Sequence, residues 1–230
     1  MKILDQLTLF SNVDAAALAL LFTLWLILGW CVEHPWARFP STSFLMARYR
    51  KIWMHELVTR DPRIFDAQIL GTLRQGTAFF ASTCMIALGG TLALIGNSEQ
   101  IANVAHDITK SEQPEIVWEL KLMVLALFLT NAFLKFVWSN RLFGYCAVLI
   151  AAVPNDIKHP KAYHRATQAA EINITAARGF NRGLRSIYFA LAAAAWLAGP
   201  IALGAASVLT AIVIWRREFA SCSRKILLDD

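Results

Sequence analysis

The sequence predicts an all-α fold: a polytopic membrane bundle of five transmembrane helices, alternatively four, with long helices projecting into the cytoplasm. Three observations predict it. The chain of 230 residues is 57% hydrophobic and only 17% charged, against about 25% charged in soluble domains. Its apolar residues fall in four long blocks. Its basic residues are confined between them: 18 of the 22 Lys and Arg lie in 33–76, 139–185 and 216–230.

The first block runs from Ala15 to Val32 without a charge. Its core exceeds the ~7–15 residues of a signal peptide, and no small-x-small cleavage site follows, so it is expected to be a retained helix. The amphipathic stretch Thr42–Thr59 comes next, with Phe44, Leu45, Tyr49, Ile52, Trp53, Met54, Leu57 and Val58 at near-helical spacing. It is expected to lie on the membrane surface or to pack on the projecting helices. Residues Lys2–Phe10 are a second, shorter candidate of that kind.

Punctuation then sets three long helices. Asp61-Pro62 reads as an N-cap followed by proline at the first helical position, and Gly96-Asn97 as the stop. A second helix runs from Glu115 or Trp118 to Val153 before Pro154, and a third from Lys161 after Pro160 to Leu197 before Gly199-Pro200. Each spans about 50–55 Å at 1.5 Å per residue, whereas a bilayer core needs about 30 Å. The excess predicts projection beyond the inner face.

The fourth block, Ile187–Trp215, is split by Gly199-Pro200. As one span of 29 residues it would cover about 43 Å and require strong tilt; a hairpin is expected instead. The chain is then a single membrane domain, 1–230, with spans near 15–32, 76–95, 118–138, 183–197 and 200–216, and a cytoplasmic extension from 42–75 and 139–182. The positive-inside rule places the N-terminus and 96–117 outside and the C-terminus in the cytoplasm.

Candidate chemistry clusters at the inner interface. Arg178, Arg182 and Arg185 form one basic stripe beside Glu171 and Thr175. With Arg141 and Lys135 it is expected to meet anionic lipid headgroups, because the planar guanidinium fork suits phosphate. Pairing of the stripe with Asp66 or Glu56 is the competing reading; Arg63 and Asp66 are the candidates for pairing at this interface. Asn131, one turn from Lys135, is an intramembrane polar residue and so a functional suspect; bridging two helices is its simpler use. Lys121 beside Trp118 reads as an interface anchor.

Small residues mark packing faces. Ala176, Gly179, Gly183 and Ala190 form one, and Ala78, Ser82, Gly89 and Ala93 another. Packing within the chain is the first expectation; a homo-oligomer through Gly179 and Gly183 is the second.

Signals for catalysis are poor. The five His lie outside the spans, which disfavours bis-His haem. His55-Glu56 lacks the second His of a zincin, since Thr59 stands there. No phosphate-binding glycine loop is present, and the four Cys have no metal-knuckle spacing. No cofactor, metal or nucleic-acid partner is expected.

Several stretches carry a family resemblance: Arg60-Asp61-Pro62-Arg63-Ile64-Phe65-Asp66, Leu70-Gly71, Phe79-Phe80-Ala81-Ser82-Thr83, Lys135-Phe136-Val137-Trp138-Ser139-Asn140-Arg141, Asn181-Arg182-Gly183-Leu184-Arg185 and Trp196-Leu197-Ala198-Gly199-Pro200. Together they resemble the bacterial and plant membrane proteins grouped as domain of unknown function family 599. The resemblance implies an integral membrane protein and transfers no activity. Three functions are weighed: an oligomeric binding or scaffold protein engaging anionic lipid or a partner at the basic face; a small-solute or anion channel or transporter using Asn131, Lys135 and Arg141; and a lipid-headgroup enzyme using Asp66, His55 and the arginines, the least supported.

Overall fold

The computed structural model describes residues 10–36, 38–97 and 114–229, and among these there is no strand. The helices are α1 (Asn12–Glu33), α2 (Thr42–Glu56), α3 (Ile64–Ile95), α4 (Glu115–Ala151), α5 (Ala162–Ala194), α6 (Pro200–Phe219) and α7 (Cys222–Leu228), with 3-10 turns at Leu57–Thr59 and Ala195–Ala198. Four of them, α1, α3, α4 and the segment from Pro200, are long and apolar enough to cross a membrane. The chain is a multi-pass helical membrane protein. Most of the Lys2–Phe10 stretch lies outside the described residues.

The three long helices are continuous. α3, α4 and α5 have 32, 37 and 33 residues, or about 48, 56 and 50 Å. The start of α3 differs from expectation. Its first intrahelical bond runs from the Ala67 N–H to the Arg63 carbonyl, so Arg63 occupies the cap position. Asp61-Pro62, a cis peptide, lies outside the helix.

Ser41 caps α2. Its Oγ accepts from the Phe44 N–H at 3.2 Å and donates to the Val32 carbonyl at 2.8 Å, tying the start of α2 to the end of α1. The apolar positions of the α2 stretch divide between two sides. Leu45, Met54, Leu57 and Val58 are buried, whereas Phe44 and Ile52 are about half exposed.

The expected hairpin at Gly199-Pro200 is present. Gly199 adopts φ 119°, a conformation that glycine accepts without a Cβ penalty, and Pro200 opens α6. The decisive contact is at Ser43. Its Oγ donates to Glu218 Oε1 at 2.9 Å and accepts from Asn181 Nδ2 at 3.1 Å. Both flanks of the fourth apolar block therefore return to one residue. In a straight helix, 181 and 218 would lie about 55 Å apart.

The chain forms two compact units. One comprises 1–29, 83–132 and 184–214, the other 30–82, 133–183 and 215–230. The first has an apolar core of Leu21, Phe128, Phe189, Ala190, Ala193, Trp196 and Leu203. Asn131 is a helix bridge in it, donating to Ser186 Oγ at 2.7 Å. Asp14 accepts from the Trp196 indole N–H at 2.7 Å. Lys121, the expected interface anchor beside Trp118, is 3% exposed, with Nζ 4.6 Å from the Trp118 ring centroid.

The second unit packs α2 on α4 and α5. Met54, Leu57, Leu142, Phe143 and Cys146 meet Ala162, Ala166, Ala169 and Ala170, alanines of one α5 face that let backbones approach closely. Ser139 Oγ donates to the Ala176 carbonyl at 2.7 Å in that seam. Gly179 and Gly183 belong to the same contact. A Cβ on Gly183 would stand 2.8 Å from the Phe136 ring, and one on Gly179 3.5 Å from Ser139 Cβ. The pair packs within the chain, in line with the first expectation for this face. The other small-residue stripe is not a packing face: Ser82 and Gly89 are exposed, with nothing within 4 Å of a Cβ at Gly89.

Candidate functional site: a basic cavity in the second unit

A cavity of about 470 Å³ is walled by the end of α1, by α2, by the middle of α5 and by the end of α6. Each wall brings charge. α2 supplies Arg48, Arg50 and Lys51, α5 supplies Arg178 and Glu171, α6 supplies Arg217 and Glu218, and α1 supplies Glu33. Arg48 and Arg178 are exposed. Neither makes a side-chain hydrogen bond or ion pair among the described residues.

The three carboxylates are engaged. Glu33 is held by Arg182 through both oxygens, Nε to Oε1 at 2.7 Å and Nη2 to Oε2. Glu171 pairs with Lys51 at 2.7 Å. Glu218 accepts from the Ser43 backbone N–H at 3.1 Å as well as from its hydroxyl. What remains in the cavity is cationic. Arg50 donates to Asn173 Oδ1, and burial pushes its guanidinium below the ordinary value; Asn173 itself is fully buried beside Cys146.

The sequence-derived stripe is divided by this arrangement. Arg178 faces the cavity. Arg182 has its fork on Glu33, and those hydrogen bonds hold it above the usual guanidinium range against the opposing effect of burial. Arg185 is 7% exposed, so the three arginines do not present one surface. Lys135 is half-buried, its carbonyl against Gly179. Arg141 lies in a separate groove with Arg74.

Asp66 and Arg63 are not paired with each other. Asp66 is fully buried; its Oδ1 accepts from Trp53 Nε1 at 2.6 Å and from Arg60. Arg63 donates to the Val153 carbonyl at 2.6 Å and to the Pro154 carbonyl at 2.9 Å, and Arg165 donates to Ala152 at 2.5 Å. Two guanidiniums thus satisfy carbonyls of the turn that follows α4, near a helix C-terminus, where cations are favoured. His55 donates to or accepts from Thr167 at 3.1 Å. The Arg60–Asp66 motif is therefore a clamp that joins α2, α3 and α4. Among the described residues no group of His, Cys, Asp and Glu is arranged to hold a metal.

Reading by sequence missed Arg48, Arg50, Lys51, Glu33, Asn181 and Glu218 as members of one site. The only signal was the basic excess of 33–76; no spacing ties α2 to α5 and α6.

No curated protein and no solved structure matches this chain. The family described as "Protein of unknown function, DUF599" matches residues 16–223. With the four span-length apolar helices and the match over most of its length, the chain is an integral membrane protein that belongs to the DUF599 family.

Proposed function

We propose that this protein is a non-enzymatic binding or scaffold protein of the bacterial inner membrane and that its basic cavity takes a phosphate-bearing anion. The observation that carries the reading is the bare pair of guanidiniums, Arg48 and Arg178, facing a cavity whose three carboxylates already have partners. Charge-assisted hydrogen bonds from arginine to phosphate are among the stronger polar contacts. The exposed Phe44 and Met46 beside these cations also suit a lipid headgroup.

The test is melting of the purified protein in mild detergent with inorganic phosphate, short-chain phosphatidylglycerol or short-chain phosphatidylcholine. Cys84 and Cys146 are buried whereas Cys31 and Cys222 are accessible, so in a Cys31→Ser/Cys222→Ser background a thiol-reactive dye reports unfolding. An anion present at 100 times its Kd stabilises by about 2.7 kcal/mol. A shift with phosphatidylglycerol alone identifies a headgroup; a shift with phosphate identifies a free anion. Arg48→Gln/Arg178→Gln is expected to weaken the effect at least about tenfold, since a hydrogen bond to a charged group contributes ~1.5–3 kcal/mol. No shift with either anion, or a double variant that responds like wild type, overturns the proposal.

Orientation follows from charge. The C-terminal Arg216, Arg217, Arg224 and Lys225 and the basic cavity face the cytoplasm, and Gly96-Asn97 faces outward. Reporter fusions after Asn97 and Asp229 are expected to give external and internal signals respectively. An external signal after Asp229 reverses the assignment.

A further inference from the structure

A second cationic feature lies between α3 and α4, and no residue is common to it and the basic cavity. It is an open groove of about 640 Å³. On α3 its wall is Arg74, Ala78 and Ser82, each one turn from the next, with Ala81 beside them. On α4 the wall is Val137, Arg141 and Tyr145, again one turn apart, with Asn140 and Gly144. Arg74 Nε reaches Asn140 Oδ1 at 3.5 Å, which sets the two cations at one level. From there the α3 wall runs through Ala78 to Ser82 while the α4 wall runs back to Val137. One end of the groove is cationic and the other is uncharged, with Ala78, Ala81, Ser82 and Val137.

Among the described residues the two cations have no acidic partner. No carboxylate lines the groove. Arg141 donates through Nε to Tyr145 Oη at 2.5 Å and lies 5.6 Å from that ring's centroid; this fixes the guanidinium and leaves its two Nη groups without a partner among the described residues. Two guanidiniums at one level with no counter-charge repel each other, and the repulsion grows as the dielectric falls. An anion between them reverses its sign.

The surroundings say which anion. Val137 in the groove wall is 45% exposed, and Trp138 and Phe79, the chain neighbours of Val137 and Ala78, are 53% and 65% exposed, an apolar surface suited to hydrocarbon. Arg74 stands two residues before the charge-free block Gly76–Ile95, and Arg141 three after the apolar run that ends at Trp138. Both therefore sit where apolar helix gives way to headgroup level, with Tyr145 and Trp138 as interfacial aromatics. The uncharged end of the groove points into the block, as an acyl chain does.

We infer that this groove is a binding site for an anionic phospholipid, its phosphate held by Arg74 and Arg141 and one acyl chain laid along Ala78, Ser82 and Val137. Basic residues near a membrane surface contribute about 1 kcal/mol each toward anionic lipid, so loss of both is expected to weaken retention roughly 30-fold. The inference is independent of the anion reading of the basic cavity.

The test is native mass spectrometry of the full chain released from nanodiscs of phosphatidylglycerol and phosphatidylcholine in equal amounts. Wild type is expected to retain phosphatidylglycerol in preference to phosphatidylcholine. Arg74→Gln/Arg141→Gln is expected to lose that preference, with unchanged dye-detected melting in detergent without added lipid. Ser82→Leu, at an exposed position, keeps both charges and fills the uncharged end; it is expected to lower phosphatidylglycerol retention as well. Equal retention of both lipids by wild type overturns the inference, as does an Arg74→Gln/Arg141→Gln variant that retains phosphatidylglycerol normally. Loss of the preference in Arg48→Gln/Arg178→Gln with none in the groove variants also overturns it, and assigns the lipid to the basic cavity.

Discussion

Asp66→Ala is expected to be the most destabilising single substitution in the second unit, by about 3 kcal/mol, the low end of the cost of breaking a buried charged pair, since the Arg60 side chain is 36% exposed. Asp66 is fully buried and its Oδ1 takes both the Trp53 indole N–H and the Arg60 guanidinium. Removing the carboxylate strands a donor from α2 and a cation from the turn before α3 at once. The measurement is the temperature at which the buried Cys146 becomes reactive to a thiol dye in the Cys31→Ser/Cys222→Ser background. Asp66→Asn keeps an acceptor at Oδ1 and is expected to lose clearly less. Equal melting of wild type and Asp66→Ala would falsify the clamp assigned to the Arg60–Asp66 motif.

Gly183→Ala is the second large effect. The added Cβ stands 2.8 Å from the Phe136 ring. That ring cannot retreat freely: Phe136 is fully buried, stacked on Phe80 at 5.4 Å and edge-on to Phe180 at 5.4 Å. Overpacking of this kind costs ~1–3 kcal/mol. Gly179→Ala places its Cβ at an ordinary 3.5 Å from Ser139 and is expected to melt like wild type. The contrast separates an intrachain seam from a dimer motif. If Gly179→Ala instead dissociates an oligomer on size-exclusion chromatography without lowering the melting temperature, these glycines serve a second chain.

Much of the architecture was legible in sequence because it depends on local chemistry. Proline and glycine punctuation placed α3, α4 and α5 to within a few residues, since a missing N–H or a positive φ acts on the residues next to it. Gly199-Pro200 gave the hairpin for the same reason. Where the reading slipped, a distant partner decided. Asp61 has the identity of an N-cap, yet α3 starts at Ile64, beside a clamp made by Trp53, Arg60 and Val153. The burial of Lys121 beside Trp118 also depends on tertiary packing.

The candidate sites were only half legible for the same reason. Spacing along α5 put Arg178, Arg182 and Arg185 on one stripe, because a helix repeats every 3.6 residues. It could not say that Glu33 from α1 takes the fork of Arg182, that packing covers Arg185, or that α2 brings Arg48 to Arg178. Likewise Ala78 and Ser82 have the sizes of a packing face, and only the structure leaves that stripe open beside Arg74 and Arg141.

The sequence by itself determined that this chain is a helical membrane protein, where its long helices run and where its positive charge lies, because hydropathy, backbone restriction and charge are properties of residues and their neighbours. The tertiary structure alone decided which cations have partners and which face a cavity or groove. That depends on pairings between residues as far apart in sequence as 33 and 182 or 43 and 218, which no local periodicity encodes.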